Sequence, residues 1–289
     1  QAIVSAAETI AFGKAEVVVA GGTEQMSGYP FLDRSSRWGQ RLGSFQLEDS
    51  LIEALNCPMN SCHMGVTAEN VATKYKVTRE DQDQLAVESH RRAAAAIEKG
   101  YFKDQIAPIE IRVKRDTVLF ESDETVRPDS SVEKLAKLRP VFDPAGSVTP
   151  GNASSINDAA AAVVLMERGM AEKRSLRPLG RLVDYSYAGV DPKYMGMGPV
   201  PAVESLLKKT GLGLDDIDLF EVNEAFASQA LAVCRTLELP ADRTNPNGSG
   251  ISLGHPIGAT GAILVVKALY ELKRTGGKRA LVTMCIGGG

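Results

Sequence analysis

Apolar positions along the chain predict an alternation of helices and buried strands. Residues 1–12 carry apolar side chains at helical spacing, and residues 15–22 (AEVVVAGG) form the short apolar run that is typical of a buried parallel strand. Further strands are predicted at 106–113 and 178–190, and the apolar run at 158–168 indicates another buried segment. This mixture of elements indicates an α/β fold.

Other periodic segments predict helices. Residues 67–76 and 78–100 predict two consecutive helices, the second of which is capped by Thr78 with Asp81 at its third position. Residues 198–211 predict a helix that starts near a proline, as helices tolerate.

Three stretches complete the prediction. Residues 217–237 run from a strand into a helix, and residues 254–289 give a glycine loop, a helix, a break and a strand. Residues 27–60 are irregular, with scattered Pro, Gly and Ser. Residues 114–140 are polar and charged, which predicts a loop with a short helix.

The first and last units of the chain share one order. Residues 1–22 and 262–288 each contain an apolar helix, a Gly-Lys break, a buried strand and paired glycines. This self-similarity predicts a duplicated α/β fold. The alternative is that any two helix–strand units look alike.

The repeat also predicts where a nucleophile belongs. In the second copy a glycine-rich loop carrying His255 precedes the helix, so the matching loop of the first copy would lie just before Gln1. A helix N-terminus lowers the pKa of a thiol placed there, and a nucleophile is expected in that loop. The first helix has no N-cap and the last strand is followed only by glycines, which predicts a fragment that lacks material at both ends.

Composition and charge narrow the class of protein. The 289 residues are 44% hydrophobic with a net charge of −3, which is ordinary for a globular protein and offers no basic surface for nucleic acid. No apolar run is long enough to span a membrane, and no signal peptide is present. The four cysteines are too few for a disulfide scaffold, so reduced thiols and a cytoplasmic location are predicted.

Two side chains in glycine-rich surroundings are the main candidates for chemistry. His255 lies among small residues that let backbone and substrate approach closely, so its imidazole can act as a base or a donor; a structural histidine in a turn is the alternative. Cys285 follows a strand at the end where ligands gather in α/β sheets, and Gly287 offers an unobstructed N–H for an oxyanion. A buried, inert cysteine is the alternative there.

Polar residues at element junctions give further candidates. Asn223 lies where a strand meets a helix and can cap that helix or hold a water or an oxyanion, with Glu224 adjacent. Ser154 and Asn157 lie in a Gly-Asn turn, where helix capping is the favoured interpretation. His90 is predicted on a solvated helix face.

Two possible cofactor motifs, one for a dinucleotide and one for zinc, are disfavoured by the residues around them. The glycines of residues 248–254 form GxGxxxG after a turn, whereas a dinucleotide fingerprint needs GxGxxG after a strand. Cys57, Cys62 and His63 have no second Cys/His pair to complete four zinc ligands, so no metal site is predicted.

Together these stretches resemble the thiolase family. The matching motifs CHMGVTAENVA, KLRPVFD, GNASSINDAAAAV, NEAFA, NPNGSGISLGHPIGATGA and CIGGG occur in family order along essentially the whole chain. The segments ESHRRAAAAIEKGYFKDQI and NPNGSGISLGHPIGATGA are most similar to bacterial broad-specificity β-ketothiolases of the acetyl-CoA acetyltransferase group. The resemblance implies the α/β thiolase fold, with duplicated αβαβα layered halves and an inserted loop domain, truncated at both ends.

The resemblance also implies a division of the chain. Residues 1–26 with 157–178 would be what remains of the N-terminal half, and residues 179–289 would form the C-terminal half. Residues 27–156 would form the loop domain, which binds CoA and supports oligomerisation.

The resemblance assigns roles to the candidate residues. A nucleophilic cysteine in a CxSGL element upstream of residue 1 would take the acyl group. His255 would deprotonate that thiol and later stabilise an enolate oxygen, together with a water held by Asn223. Cys285 would act as general base on the acetyl α-carbon, or as acid in the reverse direction, with a pKa tuned towards neutrality, and the Gly287 N–H would form a second oxyanion hole.

Substrate contacts are implied as well. Ser154 would meet the pantetheine arm, Phe226 the acyl group and Arg127 the adenine end of CoA. The tunnel would be lined by Leu55, His63, Met64, Phe142 and Met195. Two departures from the family pattern are Ser155, where glycine is usual, and Pro150, where small residues are common.

The predicted function is therefore acyl transfer between CoA thioesters, by Claisen condensation of acetyl-CoA units or by thiolysis of 3-ketoacyl-CoA. The alternative is a non-catalytic remnant that binds CoA or oligomerises. A ketosynthase would carry a second histidine in place of Cys285 or Asn223, which disfavours that relative.

Acetyl-CoA, 3-ketoacyl-CoA and CoA are the implied partners, with no cofactor, metal, nucleic acid or membrane. A homotetramer built as a dimer of dimers is implied, with a place in fatty acid metabolism or polyhydroxyalkanoate precursor supply.

Overall fold

Ten α-helices, four short 3₁₀ helices and ten strands make up the computed structural model, which describes all of residues 1–289. The helices are α1 (Ala2–Ala11), α2 (Ser50–Ala54), α3 (Met64–Lys74), α4 (Arg79–Glu98), α5 (Val132–Leu135), α6 (Arg168–Lys173), α7 (Pro199–Thr210), α8 (Ala227–Thr236), α9 (Gly250–Leu253) and α10 (Ile257–Thr275). The strands are β1 (Val17–Gln25), β2 (Phe31–Leu32), β3 (Glu48–Asp49), β4 (Asn56–Cys57), β5 (Cys62–His63), β6 (Ile109–Val113), β7 (Asp116–Phe120), β8 (Asp158–Met166), β9 (Leu219–Val222) and β10 (Ala280–Thr283).

The parallel pair β9–β10 forms the most deeply buried sheet. Leu281 pairs with Phe220 and Thr283 with Val222, and all four residues of β9 are buried. Phe220 and Val222 belong to the largest hydrophobic cluster, to which α3, α7 and α8 also contribute. The predicted strand-to-helix passage at 217–237 and the final strand are confirmed: β9 is buried along its whole length, and β10 buries one face through Leu281 and Thr283.

The sheet formed by β1 and β8 differs from its prediction. The expected buried parallel strand at 15–22 is instead antiparallel to β8, with Val19 opposite Val164. These two side chains are 70% and 63% exposed, because exposed positions alternate with half-buried ones along both strands, and only Ala20 is buried. An apolar run alone does not specify the direction of a strand's partner, and here that partner comes from 130–150 residues later in the chain.

Helix α10 lies in contact with both sheets. It packs on β1 and β8 and also on β9 and β10, so it forms a helical layer between them. The contact with β1 is made backbone to backbone: a Cβ built on Gly22 would lie 1.9 Å from the Gly258 carbonyl oxygen. The Gly258 N–H also donates to Glu24 Oε2 at 3.0 Å, so a carboxylate from β1 accepts a free amide of the first turn of α10.

The strand predicted at 178–190 does not form. That segment has no regular secondary structure, and Leu182 and Val183 are exposed. The apolar spacing is suitable, but a strand also needs a neighbouring strand to hydrogen-bond with, and none lies beside this segment.

The predicted helices around the polar middle of the chain are confirmed. Helices α3, α4 and α7 lie within a few residues of their predicted bounds, and Thr78 and Asp81 form a reciprocal capping box at the start of α4. Helix α5 is the short helix expected within 114–140, but the β6–β7 hairpin extends the strand expected at 106–113 into a second strand that was not predicted.

His90 is buried, which contradicts its predicted place on a solvated face. It lies on α4, only 6% exposed, and its Nδ1 accepts the backbone N–H of Arg127 at 3.1 Å. Burial lowers the pKa of the imidazole. The polar residues around it in the sequence hid an inward-facing position on a helix that is covered by other segments.

No helix of the structure combines the length and the hydropathy required to cross a bilayer. The division into two halves and a loop domain stays a prediction.

Candidate active site

The candidate site is built where β9 and β10 end. Asn223 follows β9, and its backbone N–H donates to the Thr283 carbonyl at 3.0 Å, so the two strand ends are held side by side. Cys285 follows β10 by two residues. The carboxyl ends of parallel strands are where loops converge in α/β folds, and this is where both predicted side chains lie.

His255 is held by its backbone on the loop between α9 and α10. Its N–H donates to Asn157 Oδ1 at 3.0 Å. Gly254, with φ of +94°, makes the turn before it, and a Cβ there would lie 2.4 Å from the Asn157 side chain. Asn157 therefore positions the histidine loop, and the favoured helix-capping interpretation of Asn157 is wrong because a strand, β8, follows it.

A neighbouring hydroxyl sets the protonation of the His255 ring. Nδ1 lies 2.7 Å from Thr260 Oγ1, and that hydroxyl donates its one proton to the Pro256 carbonyl at 2.8 Å. The hydroxyl oxygen therefore accepts from Nδ1–H, which leaves Nε2 as the unprotonated nitrogen. Sequence reasoning missed Thr260, although a hydroxyl residue five positions after the histidine in the same helix start was a visible signal.

The His255 imidazole is neutral at ordinary pH. Burial lowers its pKa to about 4, and the nearby Glu24 carboxylate opposes that shift only in part. A neutral ring with a free Nε2 can accept a proton.

Asn223 faces the same ring. Its Nδ2 lies 3.3 Å from His255 Nε2 and 3.4 Å from Nδ1. The Asn223 side chain is fully buried, and its Oδ1 has no hydrogen-bond partner. The side chain does not cap α8, whose N-cap is Phe226, so the capping alternative is wrong.

Cys285 is a buried, protonated thiol. It is 9% exposed and packs with Met195 and Ala225, with Met64 and Phe226 against the same cluster. Burial raises its pKa to about 11, which is the opposite of the tuning towards neutrality that was expected. The apolar neighbours offer no positive charge to favour the thiolate, so the thiol form is the resting form.

Gly287 lies close to Met64, with no room for a side chain. A Cβ built there would lie 2.7 Å from the Met64 sulfur. Glycine therefore allows Met64 to close over the backbone that follows Cys285, and both residues line the same cavity.

A cavity of about 1580 Å³ joins these groups to the expected substrate contacts. His255, Cys285 and Gly287 line it, and so do seven of the eight expected binding residues: Leu55, His63, Met64, Phe142, Ser154, Met195 and Phe226. The His63 ring stacks on Phe142 at 4.6 Å, and Phe142 meets Phe226 edge to face at 6.3 Å, which gives the wall a continuous aromatic surface. Arg127 does not line the cavity and lies beside His90 instead.

A buried charged layer beneath the site escaped sequence reasoning. Lys267 on α10 donates to Glu221 Oε2 at 2.9 Å and to the Gly248 carbonyl at 2.6 Å. Glu224 accepts from Ser89 and Asn245, and all these carboxylates are buried. A lysine inside the apolar run of α10 and a glutamate inside β9 were the available signals. These hydrogen bonds connect the glycine loop after residue 244 to β9, which precedes Asn223, and to α10, which follows His255.

Cys57, Cys62 and His63 form no metal centre. No group of three or more His, Cys, Asp or Glu side chains in the structure is placed to hold an ion.

Comparison with known proteins identifies the family. The model of the thiolase N-terminal domain matches residues 1–169, and that of the thiolase C-terminal domain matches residues 176–289. The chain therefore belongs to the thiolase family, a family of acyltransferases, and has the thiolase fold.

Its relatives include enzymes from bacteria and man. The chain is 58% identical over 290 residues to a beta-ketothiolase, BktB, of Cupriavidus necator, covering 100% of this chain and 74% of that protein. It is 47% identical to human mitochondrial 3-ketoacyl-CoA thiolase, again over 100% of this chain and 73% of the relative. The chain thus spans about three quarters of the length of these relatives.

Solved structures agree with the fold. The crystal structure of the Bacillus anthracis acetyl-CoA acetyltransferase superposes with a TM-score of 0.97 at 51% identity, over 100% of this chain and 73% of that one. The human mitochondrial 3-ketoacyl-CoA thiolase in complex with CoA superposes with a TM-score of 0.95 at 47% identity, over 100% of this chain and 72% of that one.

Proposed function

We propose that residues 1–289 supply the acid–base and oxyanion groups of an acyl-CoA:acetyl-CoA C-acyltransferase, which condenses acetyl-CoA units or cleaves 3-ketoacyl-CoA through a cysteine thioester. The observation that supports this assignment most is that a neutral His255 and the Cys285 thiol line one cavity. An imidazole that is unprotonated on one nitrogen at rest can act as a base, and a thiol that is protonated at rest can act as an acid. Such a pair suits a reaction that moves protons between sulfur and carbon.

The acylation half needs a base for the nucleophilic thiol. None of the four cysteines of this chain lies in a CxSGL element, so the acylated cysteine is assigned to a residue outside 1–289. His255 Nε2 takes its proton, the thiolate attacks the acyl-CoA carbonyl, and the released CoA thiolate receives the proton back from the imidazolium. Thr260 keeps Nδ1 protonated, so that Nε2 is the nitrogen that reacts.

The carbon–carbon step uses Cys285. In thiolysis its thiol protonates the enolate carbon of the departing acetyl-CoA, and in condensation its thiolate removes that proton. The raised pKa keeps the thiol protonated at rest, which is the form required for thiolysis. Condensation starts from the thiolate, so it requires a prior loss of that proton.

Two oxyanion sites complete the reaction. The enolate oxygen accepts the Nε2–H of His255, which at that stage carries the proton taken from the nucleophilic thiol, and a hydrogen bond from a water held by Asn223, whose buried Oδ1 is free to accept one. The tetrahedral oxyanion at the acyl cysteine accepts the Gly287 N–H.

CoA itself supplies the reacting thioester, and no further cofactor is required. Ser154 and the aromatic wall would hold the pantetheine arm, while Phe226 and Met195 lie beside Cys285 at the acyl end. The human mitochondrial 3-ketoacyl-CoA thiolase was solved in complex with CoA, which supports CoA as the ligand. The homotetramer and the cytoplasmic location stay predictions, and the non-catalytic alternative is not favoured by the enzymes that the chain resembles.

Labelling with [¹⁴C]acetyl-CoA tests the assignment. The protein encoded by the gene that contains residues 1–289 is incubated with the label and digested, and the labelled peptide is mapped. Label is expected on a cysteine outside 1–289, and it should be retained in Cys285→Ala but lost in His255→Ala. Stable label on any cysteine within 1–289 would contradict the proposal.

A further inference from the structure

Two cysteines face each other in the β4–β5 hairpin on the wall of the cavity. Cys57 pairs with Cys62, and Asn56 with His63, in antiparallel register. The Met64 N–H donates to the Leu55 carbonyl at 2.9 Å, which continues the ladder at the base of the hairpin. Directly opposite side chains point to the same face of an antiparallel pair, so the two thiols share one face.

The backbone geometry of this pair matches that of a disulfide. Opposite residues of an antiparallel pair have Cα atoms about 4.5 or 5.5 Å apart, according to their place in the ladder. A disulfide is compatible with Cα separations of roughly 4.4–6.8 Å. A bond between the two sulfurs therefore requires rotation of side chains and leaves the strand pairing in place.

The two thiols differ in access to solvent. Cys57 is fully buried, whereas Cys62 is partly exposed. The other two cysteines are poorer nucleophiles toward a disulfide, because burial raises the pKa of Cys285 to about 11 and that of Cys234 to about 12 and so disfavours their thiolates. Cys62 is thus the sulfur presented to a reagent, and Cys57 is the sulfur placed to react next.

We propose that Cys57 and Cys62 are a thiol-oxidation site that forms a reversible disulfide by exchange with a small-molecule disulfide such as glutathione disulfide. The Cys62 thiolate attacks the glutathione disulfide, forms a mixed disulfide and releases one glutathione thiolate. The Cys57 thiolate then attacks the Cys62 sulfur and releases the second glutathione. Two protein thiols are oxidised, one glutathione disulfide is reduced to two glutathiones, and two electrons are transferred.

The site is next to the substrate cavity but separate from the reacting groups. His63 is the second residue of β5 and Met64 follows it, while Leu55 precedes β4, and all three line the cavity. The disulfide would close the hairpin between these three residues. The proposal does not depend on the assigned activity, so it is tested by chemistry at the two sulfurs.

The test is oxidation of the native protein with glutathione disulfide, followed by alkylation of the remaining thiols and mass spectrometry. Both cysteines lie in one tryptic peptide, residues 42–74. The oxidised peptide is expected to lose two hydrogens and to take up no alkyl group, and dithiothreitol should restore both alkylation sites. A persistent glutathione adduct, two alkylatable thiols after oxidation, or preferential reaction of Cys234 or Cys285 would each overturn the proposal.

Two variants separate the roles of the sulfurs. Cys57→Ser should accumulate a stable glutathione adduct on Cys62, because the resolving thiol is gone. Cys62→Ser should leave the buried Cys57 unmodified under the same conditions. Equal modification of the two variants would contradict the assigned order of attack.

Discussion

The two helix–strand units of this chain share a sequence pattern but differ in what surrounds them. The first, α1 with β1, places its strand antiparallel to β8 in a sheet where exposed and half-buried residues alternate. The second, α10 with β10, places its strand parallel to β9 in the main core. The second is preceded by the His255 loop and followed by Cys285.

The surroundings of the second unit bring the candidate acid–base groups of residues 1–289 together. The parallel pair brings Asn223 and Cys285 to the same end of one sheet, and α10 adds His255 and Thr260 at its start. Burial then determines the protonation of these groups, since the same desolvation lowers the pKa of His255 and raises that of Cys285. The first unit contributes Glu24 and close backbone packing through Gly22.

The largest expected effect comes from Cys285→Ser. A serine hydroxyl is a much poorer proton donor and acceptor than a thiol, so we expect kcat for acetoacetyl-CoA thiolysis to fall by about 10²–10⁴-fold. Cys234→Ser is the matched control, because Cys234 lies on α8 within the hydrophobic core and outside the cavity. Similar losses of kcat in both variants would show that Cys285 has no special role in the reaction.

Lys267→Met, on α10 of the second unit, should lower the unfolding free energy of the protein. The change leaves Glu221 buried without its cation, and breaking a buried pair in this way costs about 3–5 kcal/mol of unfolding free energy. The control is Arg168→Met, which breaks an exposed pair with Glu172 on α6 and should leave stability unchanged. Urea unfolding of both variants measures the difference; equal midpoints would refute the importance of the buried layer.

The pH dependence of stability should carry the signature of His255. The unfolded chain protonates this histidine near its ordinary pKa of about 6.5, whereas the folded chain resists protonation down to about 4. The unfolded state therefore binds more protons between these values, and stability is lost as pH falls from 6.5 towards 4, by roughly 3 kcal/mol.

Subtraction isolates this contribution from that of the buried carboxyls. Unfolding free energies of the native protein and of His255→Gln are measured from pH 7.5 to 4. As pH falls, the native protein should lose more unfolding free energy than the variant, so that its value minus that of the variant decreases. A difference that stays constant with pH would mean that His255 titrates as it does in the unfolded chain.

The smallest expected effect is that of Thr260→Val. Removing the acceptor of Nδ1–H should raise the activation free energy of acylation by about 1–3 kcal/mol, or lower its rate roughly 5–150-fold. The reason is that no hydrogen bond then keeps the ring proton on Nδ1. Thr260→Ser should restore most of that rate. Thr236→Val removes a comparable hydroxyl-to-backbone bond on α8, far from His255, and should leave the rate unchanged.

Much of the fold could be predicted because local pattern decides it. The capping box at Thr78, the long α10 and the strand-to-helix passage into α8 follow from spacing and caps over a few residues. The strand at 178–190 and the buried, parallel setting of β1 were predicted wrongly, because the existence and direction of a strand depend on partners that lie far away in the sequence. His90 was misplaced for the same reason, since neighbours in sequence do not show which segment covers a helix.

The sequence by itself determined the family, the main helices and the candidate residues for the chemistry, because motifs such as GHPIGATGA and CIGGG are local and specific. The tertiary structure alone decided which of those residues share a cavity, that Arg127 lies outside it, and which nitrogen of His255 is free to react. It also decided the protonation of Cys285, because a pKa depends on the groups that surround a side chain in space, and those groups come from segments far apart in the chain.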